Sequence, residues 1–327
     1  MRVEQDIGII IPTKNRLEWC KLRTRFHSRS EFQGQILFVD SSDANPVLEF
    51  SEFLSRNKFF NVDMVHLPDS GVHQAIEFGL LHIQPNCKYA VISGDDDFHL
   101  PSGLRAAGEF LDSNLDYFSV AGPAITLCIE ASEEKFASKT VSKYWDWFSL
   151  NADFEEDRFR EIVGNYHNLE FSLKRTSGYL EIMKEVNQEF SNHGFESSRA
   201  LEYCSSIVIA LEGKGAWIDD YFLIRGDHQG RPNIFAEFND VSKKFQFLSM
   251  RNTKLVNLIS RRHSDLFKSL SIKEIYNLME LTAEVDLEPE NQPNLFVKIS
   301  EFFIRIKKRL SSFRLKFLYR HFIAWIQ

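Results

Sequence analysis

"YAVISGDDDFHLPSG", residues 89–103, sets three acidic side chains directly behind an apolar run. The run reads as a buried strand and offers no cation to Asp95, Asp96 and Asp97. Carboxylates at that density repel one another, so a chain that keeps them together gives them a task. They either cap the helix that opens near Pro101–Ser102 or hold a divalent metal ion. Capping accounts for one or two of the three. An Asp-X-Asp at a strand end offers hard oxygen ligands and leaves coordination positions open for phosphates.

The surrounding chain repeats one format. "IGIIIPT" (Ile7–Thr13) and the Ile36–Val39 run are apolar strands, the second ending in the polar turn that begins at Asp40. Helical patterns follow each: through about His27, in "VLEFSEFLSRN", in "GVHQAIEFGLLHI" and in "SGLRAAGEFLDSN". Strand and helix alternating with short connections predict an α/β fold, a mostly parallel sheet flanked by helices. Ligands of such sheets lie beyond the carboxyl ends of the strands, which is where Asp40 and Asp95–Asp97 fall.

Residues 129–170, with "KYWDWFSLNADFEEDRF", read as an inserted helical or loop region over that edge. "SIVIALEGKGAWIDDYFLIRGDHQGR" returns to strand character, with Gly213 and Gly215 as turn residues. Residues 240–285 read as a helical extension, 286–296 as a Pro-containing polar linker.

Net charge is −7 over 327 residues, which excludes a global nucleic-acid footprint. The charge is uneven. From Val297 onward eight Lys/Arg face one acid, Glu301, so this tail carries +7 and the rest −14. Phe302, Ile306, Leu310, Phe313 and Phe317 recur at helical spacing among those cations, the pattern of a basic amphipathic helix for an anionic membrane surface. Its alternatives are docking on the chain's own acidic domain or on a second copy in a homo-oligomer. Cys20, Cys87, Cys128 and Cys204 form no CxxC pair, which argues against a disulfide framework or structural zinc and for a reducing compartment. With no signal-type start and no apolar run of about 18 residues, the expected location is cytoplasmic, peripheral at the inner face of the membrane.

"IIIPTKNR", "ILFVDSSD" and "YAVISGDDDF" together resemble nucleotide-sugar glycosyltransferases of the GT-A fold, especially the broad family-2-like group. The resemblance covers roughly residues 5–110. It implies a catalytic domain over 1–239, with a nucleotide-sugar half (1–110) and an acceptor half (111–239), and the basic helix at 297–327. Pro12, Thr13, Asn15 and Arg16 would line the nucleotide pocket, Asp40 would accept a hydrogen bond from base or ribose, and His73 of "GVHQAIEFGL" would join them. Asp95 and Asp97 would hold Mn²⁺ or Mg²⁺ with His228 of "YFLIRGDHQGR", with Asp96 on the nucleotide-sugar or, in a shifted register, on the metal. Arg225 and Arg231 would neutralise the leaving diphosphate.

Glu202, which precedes an apolar helix, would be the catalytic base and Glu196 its competitor. Tyr203 stands where the family usually continues a Glu-Asp pair. Tyr166, His167 and Arg175 would lie beside the acceptor. The implied activity is an inverting, metal-dependent transfer from a nucleotide-diphosphate sugar to a glycan or lipid-linked acceptor in bacterial cell-surface polysaccharide synthesis. A nucleotidyltransferase would show a Gly-rich loop after the first strand, and "PTKNRLEW" has no Gly. A non-catalytic scaffold with this fold is the remaining alternative.

Overall fold

A computed structural model describes residues 3–132, 135–145, 149–191, 198–227 and 241–285. The apolar runs form β1 (Ile7–Thr13), β2 (Gln35–Asp40) and β4 (Tyr89–Ile92), and the mixed stretch Val62–His66 forms the edge strand β3. Between them run α1 (Leu17–Arg29), α2 (Val47–Asn57) and α3 (Val72–Ile83). β1 pairs in parallel with β2 and β4, and β2 with β3, so their carboxyl ends share one edge.

Side-chain alternation along these strands explains the helices on both faces. Ile9, Ile11, Ile36, Phe38 and Val91 point into one core, with Cys20 of α1 and Phe50 of α2. Ile10, Leu37, Val39, Ala90 and Ile92 point into the other, with Ile76 and Leu80 of α3. Runs apolar at every position are what a sheet buried on both faces requires.

The sheet has seven strands in the order β10-β6-β9-β4-β1-β2-β3. β6 (Tyr117–Ala121) and β10 (Lys214–Trp217) are parallel to each other, while the short β9 (Leu173–Arg175) lies antiparallel between β4 and β6. Lys174 of β9 is fully buried, and its ammonium donates to the carbonyls of Leu169, Glu170 and Ser172. Its three donors are thereby used, which fixes the segment leading into β9.

A second, four-stranded sheet crosses the ligand edge in the order β5-β11-β7-β8. It contains β5 (Asp97–His99), β7 (Ala124–Ser132), β8 (Lys135–Trp145) and β11 (Leu223–Asp227). The region expected to be helical or loop therefore begins as a β7–β8 hairpin and reaches helix only at α5 (Glu155–Gly164). β8 carries lysines and serines among Thr, Val and Tyr, so no apolar run marks it, while β7 is largely apolar through Ile129 and turns polar only at its end. The "SIVIALE" segment corrects in the other direction. It completes α7 (Ser198–Glu212), a buried helix whose unbroken apolar stretch imitates a strand. Gly215 is a residue of β10 and not of a turn.

α6 (Thr176–Ser191) and α7 share the α3-side core with Leu255 and Ile259 of α8 (Val241–Arg262) and Ile275 of α10 (Ile272–Val285); α9 (Leu266–Ser269) lies between these last two. The linker and basic helix expected over 286–327 lie outside the described residues.

α4 (Pro101–Ser113) leads out of β5 and meets the chain entering β11 at Gly103. A Cβ on Gly103 would stand 2.3 Å from the Tyr221 carbonyl oxygen and 2.8 Å from Phe222 Cα, both backbone atoms. Gly103→Ala should therefore cost about 1–3 kcal/mol in urea unfolding through overpacking. A change within 0.3 kcal/mol would show that the contact yields freely.

Candidate active site

The aspartates straddle the two sheets. β4 stops at Ile92, Ser93–Asp96 make the turn, and Asp97 opens β5 opposite Arg225 of β11. All three carboxylates are nearly buried, at 5%, 7% and 1% exposure. The turn is held at its start by Ser93 N–H to the Ile10 carbonyl.

Thr13 ends β1 and its hydroxyl donates to Asp95 Oδ2 at 2.9 Å. Arg16 Nη1 donates to Asp95 Oδ1 at 2.5 Å and lies 3.7 Å from Asp96 Oδ2, its guanidinium 5.0 Å from the Trp19 ring centre. Arg225 Nε lies 3.7 Å from Asp97 Oδ1 and packs over Phe171. Burial still pushes the Asp95 carboxyl up to about 6, with Arg16 opposing and Asp96 reinforcing the rise. A carboxyl so perturbed at a sheet's ligand edge is a candidate for ligand or proton chemistry.

Gly94 gives the turn its shape. A Cβ there would stand 2.9 Å from Asp96 Oδ1 and 3.1 Å from Asp97 Oδ2, so two carboxylate oxygens border a space that any other residue would fill. Hard oxygens facing one point suit Mg²⁺ or Mn²⁺. Among the described residues no group of three His, Cys, Asp or Glu side chains is placed to hold a metal ion, so a cation here would draw on two of these carboxylates and on ligands from elsewhere. His228, Arg231 and Glu196 lie outside the described residues.

Asp40 ends β2 with both oxygens engaged. Ser42 donates through its hydroxyl (2.6 Å) and its N–H (3.1 Å), and His66 Nδ1, at the end of β3, lies 3.0 Å away. The Ser42 hydroxyl oxygen in turn accepts from Asn15 N–H at 2.6 Å. Asn15 sits at φ 56°, the left-handed region that asparagine tolerates, and this turns the chain between Pro12 and Arg16. Asp40 thus builds the loop that presents Arg16, and His66 is a ring at this edge that the motifs did not reveal.

His73 is 2% exposed, and its Nε2 lies 3.0 Å from Glu170 Oε1. The ring is committed to the protein interior, where the expectation placed it in the nucleotide pocket. Ser205 of α7 donates to the same Glu170 oxygen. Glu202 is half-buried on the first turns of α7, and its charge reinforces the burial that holds the Tyr166 hydroxyl well above its ordinary pKa. Arg175 is structural: its guanidinium donates to the carbonyls of Tyr117, Leu111 and Asn114.

No known protein family matches the chain by sequence, and no curated protein does. Solved structures match by fold. The chain is similar to S. aureus TarS 1–349 in complex with UDP-GlcNAc, at 14% identity and TM-score 0.51 over 90% of this chain and 77% of that one. The same protein in complex with UDP gives 12% and 0.48 over 84% and 90%. A Pyrobaculum calidifontis mannosyltransferase, PcManGT, in complex with GDP-Man and Mn²⁺ gives 11% and 0.46 over 98% and 84%. At these identities the likeness is one of fold, and the fold is GT-A-type and Rossmann-like.

One pH response follows from the ground beneath the site. His99 of β5 is fully buried between the Ser93 hydroxyl and the Phe171 carbonyl, and burial, reinforced by the Arg23 charge, pushes it down to about 3. The unfolded chain takes up that proton below about pH 6.5 and the folded chain does not, so stability falls as pH drops from 6.5 toward 3. His99→Gln should lose about 2 kcal/mol less than the wild type between pH 8 and pH 5 in urea unfolding. Parallel losses would show that the folded histidine takes up its proton over the same pH range as the unfolded one.

Proposed function

We propose that the chain is a metal-dependent glycosyltransferase moving a sugar from a nucleotide-diphosphate donor to a hydroxyl of a glycan or lipid-linked acceptor. The observation that carries this is the cluster of three buried aspartates at the carboxyl edge of a GT-A-type sheet, with two oxygens around the Gly94 space and Arg16 and Arg225 beside them. The fold neighbour that holds UDP-GlcNAc supports a nucleotide-sugar donor.

Asp97, with Asp95 or Asp96 and with His228, would hold Mn²⁺ or Mg²⁺. Bound there, the cation supplies positive charge to a departing diphosphate. Arg16 and Arg225 reach the same charge from either side, and the loop built by Asp40, Ser42 and Asn15 lies against the nucleoside. Glu202 takes the proton of the acceptor hydroxyl as that oxygen bonds to the anomeric carbon and the carbon–phosphate-oxygen bond breaks. A single displacement of this kind inverts the anomeric centre and needs one base.

No helix among the described residues is long and apolar enough to cross a membrane. The +7 tail is our reason for placing the acceptor at an anionic surface in cell-surface polysaccharide synthesis.

A nucleotide-sugar panel with Mn²⁺ tests the reading. Asp97→Ala should abolish turnover with the fold intact. Glu202→Gln should lower kcat by about 10²–10⁴ with donor KM little changed. Full activity in either variant sinks the assigned role. Removal of residues 297–327 should abolish sedimentation with phosphatidylserine vesicles while turnover of soluble acceptors persists; retained sedimentation would remove the tail from the membrane contact.

A further inference from the structure

Arg23 lies on α1, two turns after Arg16, and is 0% exposed. Arg16, Cys20, Arg23 and His27 follow one another at helical spacing along one face. A buried guanidinium normally satisfies all its donors. Here Nη2 donates to the Ser93 hydroxyl at 3.0 Å, and the guanidinium carbon lies 4.9 Å from the Phe98 ring centre. Nε and Nη1 are buried without a hydrogen bond. Neighbouring His27 and His99 are both buried and held neutral, so neither adds a second positive charge beside it. The carboxylates that act on it are Asp97, then Asp95, then Asp96.

The arginines therefore form two tiers. Arg16 and Arg225 retain 29% and 23% side-chain exposure and reach the aspartates from the open side. Arg23 meets the turn from the buried side, through the Ser93 hydroxyl, and is fully enclosed there.

We infer that Arg23 is a positioning residue: a permanent internal counter-charge that holds the Asp95–Asp97 turn together before substrate arrives and sets how tightly that turn takes a divalent cation. It touches the turn through Ser93, whose hydroxyl lies between Arg23, His99 Nδ1 and the Asp97 carbonyl. The inference rests on the proposed cation site and adds the residue that tunes it. A fixed positive charge beneath a cation site repels the incoming ion, so removing the charge while keeping the tether should tighten binding.

Arg23→Gln keeps an amide donor for Ser93 and deletes the charge; Arg23→Lys keeps the charge. The probe is Mn²⁺ alone with the full chain at pH 8.5, read by electron paramagnetic resonance of the free ion. Arg23→Gln should bind Mn²⁺ roughly tenfold more tightly. Arg23→Lys should stay near the wild-type value. Arg23→Met provides the same charge deletion if the glutamine variant fails to fold. Equal Mn²⁺ affinity in the wild type and a folded charge-deleted variant overturns the inference and leaves the cation site standing. A wild-type chain that takes up no Mn²⁺ overturns both.

Discussion

Three carboxylates within one turn must be matched by positive charge from elsewhere in the chain, and most of this architecture supplies it. Arg16 comes from the loop after the first strand, Arg23 from the helix that follows, and Arg225 from a strand more than a hundred residues later. Only when the first helix and the second sheet are both in place do the aspartates have their partners. The balance is incomplete: Asp95 remains raised despite its bond to Arg16, because burial outweighs the one pairing. A site left in that condition gains when more positive charge enters, which is what a divalent cation would bring.

The second sheet is what turns an acidic turn into a site. β5 is only three residues long, yet it pairs with β11 and so places Asp97 opposite Arg225. His99, the last residue of β5, bonds the Phe171 carbonyl, and Phe171 receives the Arg225 guanidinium on its ring. The short strand is thereby held from three sides. Changing any of these contacts moves a carboxylate, although none of the residues involved need touch a substrate.

The parallel half of the fold was legible because burial on both faces demands unbroken apolar runs, and Ile7–Thr13 and Tyr89–Ile92 have them. Thr13, Arg16 and the aspartates were legible because the motif order places them at strand ends, where the structure brings them together. The hairpin was not. Its second strand, β8, intersperses three lysines among β-branched and aromatic residues, and that charge hides its strand character. Arg23 was invisible for another reason: an arginine in an amphipathic helix looks solvated until the packing shows which face it occupies. His73 failed through the same ambiguity, since a histidine at a helix start serves a ligand or a buried glutamate equally well.

That buried glutamate bears on how two distant chemical groups share one frame. Glu170 accepts from Ser205, and the Ser205 hydroxyl also lies against the Glu202 carbonyl one turn earlier in α7. Glu170 is held by His73 from α3, while its own carbonyl takes the Lys174 ammonium. The next residue is Phe171, which contacts His99 and Arg225 on the aspartate side. The half-buried acid on α7 and the Asp97 carboxylate on β5 are thus both indexed to the same few residues, 168–172. These contain a fully paired internal lysine contact and have little freedom to shift. In the proposed transfer a base on α7 and a metal-binding turn would have to keep their separation to a fraction of an ångström, and rigidity of this shared segment is the physical means by which the chain would keep it.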